Sequence, residues 1–224
     1  MTWIKICGIT NLEDAQVAVD AGADALGFVF YEKSPRKIEP ETARAIASKL
    51  PPKIEKIGVF VDDPVERIRN TAQQVGLSAV QVYLAHSEPQ RVQDLLLLNE
   101  RDTDPKLIAA FPAGELDGEG LLLVGREKRK LYALMLDSGS NSMPGGTGKT
   151  FDWSKARVKI QFLSVTVPMI VAGGLTPLNV GEAIRFFQPW GVDVASGVEA
   201  RPGKKDPEKV RAFVDAVRKA DKKN

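Results

Sequence analysis

Two side chains in this sequence are suited to exchange protons with a small substrate: the single cysteine, Cys7, and Asp137. Each of them stands at the C-terminal end of an apolar stretch of the sequence. An apolar surround raises the pKa of a carboxyl group and lets it donate a proton, and a thiolate accepts one. A base and an acid on opposite sides of a small molecule suit an isomerisation. The structural alternatives are a buried core cysteine and a loop-capping aspartate.

Cys7 needs a positive charge nearby to act as a base. A thiol with an ordinary pKa near 8.5 is only a few per cent ionised at neutral pH. Lys5 stands two residues earlier, on the same face of a strand and roughly 6 to 7 Å away. The spacing therefore predicts that Lys5 supplies this positive charge.

Two short glycine-containing turns predict a phosphate site. Gly173-Gly174 precede Thr176-Pro177, a pair typical of a helix start, and Ser196-Gly197 end the last apolar stretch in the same manner. Backbone N–H groups that such turns leave free can bind phosphate, although glycines also simply make tight turns. Together the two turns predict a phosphorylated ligand.

Three further polar features have weaker assignments. Arg36 either binds an anionic group through two parallel hydrogen bonds or is a surface arginine beside Lys33 and Lys37. The lone histidine, His86, is expected in a surface loop. Gly145–Lys149 lacks the spacing of a phosphate-binding P-loop, and we expect it to form a mobile loop over the site.

The elements that position these residues are strand-like runs separated by helix-like stretches. Most runs are apolar throughout, which is typical of parallel strands covered on both faces. The predicted strands are Trp3–Cys7, Ala25–Phe30, Ile57–Val61, Ala79–Val82, Leu107–Phe111, Leu131–Leu136, Pro168–Ala172 and Val192–Ala195. Capping residues and first-turn prolines predict helices over 11–21, 41–50, 65–75, 90–99, 178–187 and 208–220. Residues 112–130 are expected to be an irregular surface excursion.

Alternating strands and helices predict an α/β fold, and eight such units in 224 residues fit a single (β/α)8 TIM-barrel domain over residues 1–224. The competing fold is a doubly wound parallel sheet. That fold normally has fewer strands and a G-x-G-x-x-G turn after the first, whereas Gly8 stands alone. Barrel active sites lie at the C-terminal strand ends, where all the candidate residues above are found.

Composition narrows the class of function. Lysine and arginine number 31 against 29 acidic residues, so the net charge of +2 does not suggest nucleic-acid binding. One cysteine and one histidine exclude an internal disulfide, a cysteine-based zinc cluster and a multi-histidine metal site. No apolar run approaches the roughly 20 residues of a membrane span, and the first residues lack a signal-peptide pattern. We therefore expect a cytoplasmic enzyme without a membrane partner.

The sequence resembles the phosphoribosylanthranilate isomerase family of tryptophan biosynthesis over nearly its full length. Several motifs in the same order carry the resemblance. They are Lys5–Thr10, Gly27–Phe30, Ser34–Arg36, Gly58–Val61, Leu136–Ser138, Gly145–Gly148, Ala172–Leu175, Asp193–Glu199 and Pro202–Asp206.

The resemblance implies an Amadori rearrangement of N-(5-phosphoribosyl)anthranilate to 1-(2-carboxyphenylamino)-1-deoxyribulose 5-phosphate, without a metal or an organic cofactor. By similarity, Asp137 is the general acid that protonates the furanose oxygen. Cys7 is the general base that removes the C2 proton. Arg36 holds the anthranilate carboxylate. The phosphate binds the loops of Gly173-Gly174 and Ser196-Gly197.

Asp193 is a further residue of the family motifs near the barrel mouth. Two positions depart from the family pattern. Its Gln-Leu-His-Gly stretch reads Gln81-Val82-Tyr83-Leu84 here, so either Tyr83 or a displaced His86 takes the place of that histidine. Ala109 stands where the family often has a lysine. Both departures concern details of substrate contact.

Other readings stay open. A different sugar-phosphate barrel enzyme, such as an epimerase, aldolase or decarboxylase, often uses a lysine Schiff base or a metal, yet no strand-end lysine stands out and metal ligands are sparse. A non-catalytic phosphate-binding relative is disfavoured by the presence of both Cys7 and Asp137. The sequence fits a monomer or a homodimer equally well, and it does not decide whether a second, histidine-pathway substrate is accepted.

Overall fold

Eight parallel strands close into a barrel in sequence order. The computed structural model describes residues 1–84, 94–95, 105–113, 131–138, 153 and 167–222. The barrel strands are β1 (Trp3–Cys7), β2 (Ala25–Val29), β3 (Glu55–Phe60), β4 (Ala79–Tyr83), β5 (Lys106–Pro112), β6 (Leu131–Asp137), β7 (Met169–Val171) and β8 (Gly191–Val194). The (β/α)8 prediction is confirmed, because pairing of β8 with β1 leaves no open edge of the kind a doubly wound sheet has. The single-domain assignment over 1–224 stays a prediction.

Helices follow the barrel strands along the described parts of the chain. They are α1 (Leu12–Ala21), α2 (Pro40–Ala47), α3 (Val65–Val75), α4 (Val180–Phe187) and α5 (Pro207–Asp221). Helix α1 is capped at both ends: the Asn11 side chain accepts a hydrogen bond from the Asp14 N–H, and Gly22 ends the helix at φ 97°. The predicted helix over 90–99 lies outside the described residues except for 94–95, and so does most of the excursion over 112–130.

Helix α2 ends at Ala47, three residues before the predicted end at Leu50. The N–H groups of Lys49 and Leu50 bond to the carbonyls of Ile46 and Ala47, three residues back. The last turn is therefore wound more tightly than an α-helix, a common way to satisfy carbonyl groups at a helix end.

Helix α4 begins at Val180 instead of the predicted Leu178. The Asn179 side chain accepts a hydrogen bond from the Thr176 N–H at 2.8 Å and donates one to the Gly174 carbonyl at 2.9 Å. These bonds hold the preceding residues in a turn, so that the helical pattern starts later. They also fix the loop after β7.

The barrel strands separate two apolar layers, because successive side chains point to opposite faces. Ile4 and Ile6 of β1 pack outward against the helices, whereas Cys7 belongs to the cluster inside the barrel. Lys5 and Cys7 share the inner face, as the spacing of two predicts. Trp3 stacks on Trp190, with ring centroids 5.0 Å apart, among the partly buried residues that pack against the inner cluster.

After β8 the chain makes a short 3-10 turn and a small hairpin of β9 (Glu199–Arg201) and β10 (Lys204–Lys205). Asp14 of α1 accepts hydrogen bonds from the Lys205 N–H and the Lys204 ammonium. The hairpin is thereby tied to the first helix. Within the described part of the chain, no helix combines the length and the apolar character that a membrane crossing requires.

Candidate active site

A pocket opens among the C-terminal ends of the barrel strands and the loops that follow them. Its walls combine apolar side chains with nearly all the site residues predicted from sequence. Those in the lining are Cys7, Arg36, Asp137, Gly173, Gly174, Asp193 and Ser196. Gly197 lies outside the lining, next to Ser196, and a Cβ there would overlap the carbonyl oxygen of Leu175, which is a lining residue. The candidate residues thus come together at one mouth, although most are far apart in sequence.

The Cys7 thiol lies in the inner cluster of the barrel, with only 7% of the residue exposed. A Cβ at Gly27 would meet the Cys7 Sγ at 2.8 Å and the Lys5 Cε at 3.0 Å, so the missing side chain of this glycine leaves room for both. Burial raises the pKa of Cys7 above its ordinary value, and the Lys5 charge opposes that shift. The neutral thiol is therefore the main form of Cys7 at neutral pH, and the thiolate is the minor form.

Lys5 is completely buried, and its ammonium bonds to two side chains of the pocket lining. Its ammonium donates to the Gln81 side-chain oxygen at 2.9 Å and to the Asp193 carboxylate at 3.0 Å. Burial acts to lower the Lys5 pKa, but the charge of Asp193 and the hydrogen bond to it act in the opposite direction, and the pKa is raised overall. Lys5 thus stays positively charged beside the thiol, and Asp193 contacts this ammonium.

Asp137 is the last residue of β6 and is 4% exposed. The Tyr83 hydroxyl, at the end of β4, donates a hydrogen bond to its Oδ2 at 2.6 Å. The backbone of Asp137 is fixed as well, since its carbonyl accepts a bond from the Ala113 N–H at 2.8 Å. The carboxyl is therefore held within the pocket lining by the end of the barrel itself.

Arg36 lines the pocket and forms a bidentate ion pair with Glu199 of the hairpin. Its Nε and Nη2 donate to the two carboxylate oxygens, each at 2.8 Å. Lys205 also donates to Glu199, at 3.0 Å. Burial acts to raise the pKa of Glu199, but its hydrogen bond with Arg36 and the charge of Lys205 lower it overall, so the carboxylate is ionised. Arg36 and Lys205 thus both bond to this one carboxylate at the pocket wall.

The loops after β7 and β8 present backbone N–H groups at the pocket. Gly173 and Gly174 have φ values of 85° and 64°, a region that favours glycine. Consecutive N–H groups in such a turn form a concave anion site. Within the described ranges, the N–H groups of Gly173 and Gly174 have no backbone acceptor, and Ser196 in the loop after β8 lines the pocket as well. The free donors of the two glycines suit a phosphate group.

Several residues that contact the site carried no assigned role in the sequence. Gln81 and Tyr83 point inward because they alternate along β4, a signal that the spacing of two contains. Glu199 and Lys205 belong to quoted family motifs, but their contact with Arg36 arises only in the folded chain. The Ser138 hydroxyl, beside Gly173, is buried and has no hydrogen-bond partner among the residues that the structure describes.

The two departures from the family pattern have different places in the fold. Tyr83 lines the pocket, whereas His86 lies outside the described residues, as does the predicted mobile loop over 145–149. Ala109 packs in the outer core between barrel and helices and is absent from the pocket lining. No group of three or more metal-binding side chains occurs among the residues the structure describes.

Comparison with known proteins gives one consistent result. A family model of N-(5'-phosphoribosyl)anthranilate (PRA) isomerase matches residues 4–216. The N-(5'-phosphoribosyl)anthranilate isomerase of Geotalea uraniireducens is 45% identical over 214 residues, which cover 96% of this chain and 97% of the relative.

Solved structures are similar over almost the whole chain. One is a phosphoribosyl anthranilate isomerase in complex with reduced 1-(o-carboxyphenylamino)-1-deoxyribulose 5-phosphate, with a TM-score of 0.77, 36% identity and coverage of 98% of this chain and 100% of that one. Another shows monomers generated from the dimeric isomerase of Thermotoga maritima, with a TM-score of 0.76, 36% identity and coverage of 97% and 99%.

Proposed function

The chain belongs to the N-(5'-phosphoribosyl)anthranilate isomerase family, and we propose that Cys7 and Asp137 are the base and the acid of its reaction. The enzyme catalyses the Amadori rearrangement of N-(5'-phosphoribosyl)anthranilate to 1-(2-carboxyphenylamino)-1-deoxyribulose 5-phosphate in tryptophan biosynthesis. One observation carries the proposal: a buried thiol and a buried carboxyl from strands β1 and β6 line the same pocket.

The acid step opens the sugar ring. As the acid, the Asp137 carboxyl gives its proton to the furanose oxygen as the bond from that oxygen to C1 breaks. The lone pair of the anthranilate nitrogen forms the C1–N double bond, which leaves an iminium ion and an Asp137 carboxylate. A positioned acid typically accelerates such a step by about 10²- to 10⁴-fold.

The base step moves the double bond. The Cys7 thiolate removes the C2 proton, and the electrons of that C–H bond form the C1–C2 double bond of an enolamine while the nitrogen becomes neutral. Protonation at C1 and loss of the C2 hydroxyl proton then give the ketone. The Lys5 ammonium favours the thiolate at this site, and the raised pKa of Cys7 makes that thiolate a strong base.

The two anionic ends of the substrate fit opposite walls of the pocket. Glu199 occupies Nε and Nη2 of Arg36, and we assign the remaining Nη1 side of the guanidinium to the anthranilate carboxylate. The phosphate fits the N–H groups of Gly173-Gly174 and Ser196-Gly197. Asp193 supports the site through Lys5.

A lysine Schiff base, as an aldolase or decarboxylase would use, is disfavoured by the state of Lys5. A Schiff base needs a neutral amine as nucleophile. The Asp193 charge helps keep the Lys5 pKa raised, and hydrogen bonds hold the ammonium on Asp193 and Gln81. This inward lysine of β1 therefore supplies charge and not a nucleophile.

Compartment and assembly remain parts of the proposal. A substrate that carries both a phosphate and a carboxylate does not cross a membrane unaided, so we propose that the enzyme works in the cytoplasm, where its substrate is made. A monomer and a homodimer both fit the chain, and sedimentation of the purified protein distinguishes them.

Kinetics of the purified protein test the acid and base assignments. The wild type should convert phosphoribosylanthranilate without added metal or cofactor. Cys7→Ala and Asp137→Ala should each lower kcat by at least about 100-fold with an unchanged circular dichroism spectrum. Asp206→Ala, which removes a helix-capping carboxylate outside the pocket, is the control and should retain kcat.

Growth of a tryptophan auxotroph that lacks this step gives an independent readout. The wild-type chain should restore growth and the Asp137→Ala variant should not. Wild-type kcat in a folded Cys7→Ala protein would refute the base assignment, and growth supported by Asp137→Ala would refute the acid assignment. Failure of the wild-type chain in both assays would refute the activity itself.

A further inference from the structure

A tyrosine hydroxyl contacts the carboxyl group to which the proposed function assigns the acid role. The Tyr83 Oη lies 2.6 Å from Asp137 Oδ2, and the two residues are 7% and 4% exposed. Tyr83 is the last residue of β4 and Asp137 is the last residue of β6, and β5 lies between these two strands. The contact is therefore made by rigid strand ends and lies in the pocket lining.

The tyrosine is the donor in this contact. Burial raises the pKa of Tyr83 well above its ordinary value of 10, and the contact with Asp137 raises it further. The phenol is consequently neutral at any pH at which the enzyme works, and it donates its proton to the carboxyl oxygen. Tyr83 is therefore not a base, and its hydroxyl proton is directed at Asp137.

We propose that Tyr83 is a positioning residue for the acid step: its hydroxyl orients the Asp137 carboxyl and stabilises the carboxylate that remains after proton transfer. A hydrogen bond strengthens when its acceptor becomes charged. The bond is therefore stronger after the sugar oxygen has taken the proton than before, and that difference lowers the barrier. This inference rests on the acid role of Asp137.

The hydroxyl also gives this chain a donor that does not titrate near neutral pH. The family pattern has a histidine in the corresponding stretch, and an imidazole has an ordinary pKa of about 6.5. A histidine can donate the same hydrogen bond, but its charge changes between about pH 5 and 8. Replacing Tyr83 with histidine should therefore keep the donor and add a pH dependence.

Removal of the single hydroxyl group tests the proposal. Tyr83→Phe should lower kcat by roughly tenfold or more and leave KM within about twofold, since the lost bond acts on the reacting acid and not on substrate binding. The matched control is Tyr132→Phe, because the Tyr132 hydroxyl also bonds to a carboxylate, that of Glu55 at 2.9 Å, but outside the pocket lining. It should retain the wild-type kcat.

A rescue variant separates this role from simple support of the fold. Tyr83→His should recover much of the kcat lost in Tyr83→Phe and should show a kcat that changes around pH 6 to 7, which the wild type lacks. If Tyr83→Phe does not fold, Tyr83→His and Tyr83→Leu give the same comparison of donor and no donor.

The results that would refute the role of Tyr83 differ from those that would refute the acid role of Asp137. A folded Tyr83→Phe protein with wild-type kcat, or equal kcat for Tyr83→His and Tyr83→Leu, would overturn the role of Tyr83 even if Asp137→Ala is inactive. Wild-type activity of Asp137→Ala would instead overturn the acid assignment. In an Asp137→Asn background, the Tyr83→Phe change should lower kcat by less than it does alone, because the two residues act as one unit.

Discussion

Gly173→Ala should weaken the binding of phosphorylated ligands much more than it weakens the fold. Gly173 adopts φ 85°, and a Cβ there would overlap the backbone nitrogen of Ser138. The left-handed conformation costs an L residue roughly 1 to 2 kcal/mol. The overlap with backbone cannot be relieved by a side-chain rotation, so the loop after β7 has to move.

The size of the binding effect follows from the N–H groups on that loop. A hydrogen bond to a charged acceptor contributes about 1.5 to 3 kcal/mol, and 1.4 kcal/mol is a factor of ten in affinity. Loss of one such bond to phosphate should weaken binding by about 10- to 100-fold. Because the proposal assigns the chemical step to Cys7 and Asp137, kcat should change less than KM.

Gly76→Ala is the matched control. Gly76 ends α3 at φ 75°, and a Cβ there meets no atom within 4 Å. The Gly76→Ala variant has the same strain from a left-handed backbone. The melting temperature of this variant should therefore fall by a few degrees, at about 2 to 4 °C per kcal/mol. In calorimetric titration with reduced 1-(o-carboxyphenylamino)-1-deoxyribulose 5-phosphate, Gly76→Ala should bind with wild-type affinity and Gly173→Ala should bind more weakly. Unchanged affinity in a folded Gly173→Ala protein would refute the phosphate assignment.

Two other predictions concern charged groups in the pocket. Alkylation of Cys7, the single cysteine, by iodoacetamide should accelerate with pH through a midpoint above the ordinary thiol pKa, because burial raises the pKa of Cys7. Lys5→Met should move this midpoint upward, since it removes a positive charge that stabilises the thiolate. Asp193→Asn should move the midpoint downward, because it removes a negative charge that disfavours the thiolate. An unchanged midpoint in these folded variants would contradict the proposed effect of the two charges. Arg36→Lys should raise KM by about tenfold or more, because lysine keeps the charge but cannot bond Glu199 and a substrate carboxylate through one planar group. Wild-type KM in that variant would contradict the carboxylate assignment.

Local patterns in the sequence account for the barrel and for the inner face of its first strand. Apolar runs of strand length predict all eight strands, and the alternation of side chains predicts that Lys5 and Cys7 share a face. The beginning of α4 was predicted two residues early, because the Asn179 side chain bonds back to the preceding loop. Such a bond depends on local geometry that residue types alone do not specify.

Contacts between distant parts of the chain escape sequence reasoning on the residues alone. Arg36 and Glu199 are separated by 163 positions, and Tyr83 and Asp137 by 54. Nothing in the local sequence of Arg36 indicates that a carboxylate occupies one side of its guanidinium. Barrel closure creates these pairs, and they determine which donors and charges are left for a substrate.

A crystal structure of this protein with reduced 1-(o-carboxyphenylamino)-1-deoxyribulose 5-phosphate would examine the proposed arrangement of acid, base and sugar in a single measurement. We expect the Cys7 sulfur within about 3.5 Å of C2 and the Asp137 carboxyl within hydrogen-bond distance of the C4 hydroxyl, which is the furanose oxygen after ring opening. Electron density that shows either side chain out of contact with the sugar, or the phosphate away from the loops after β7 and β8, would contradict the mechanism.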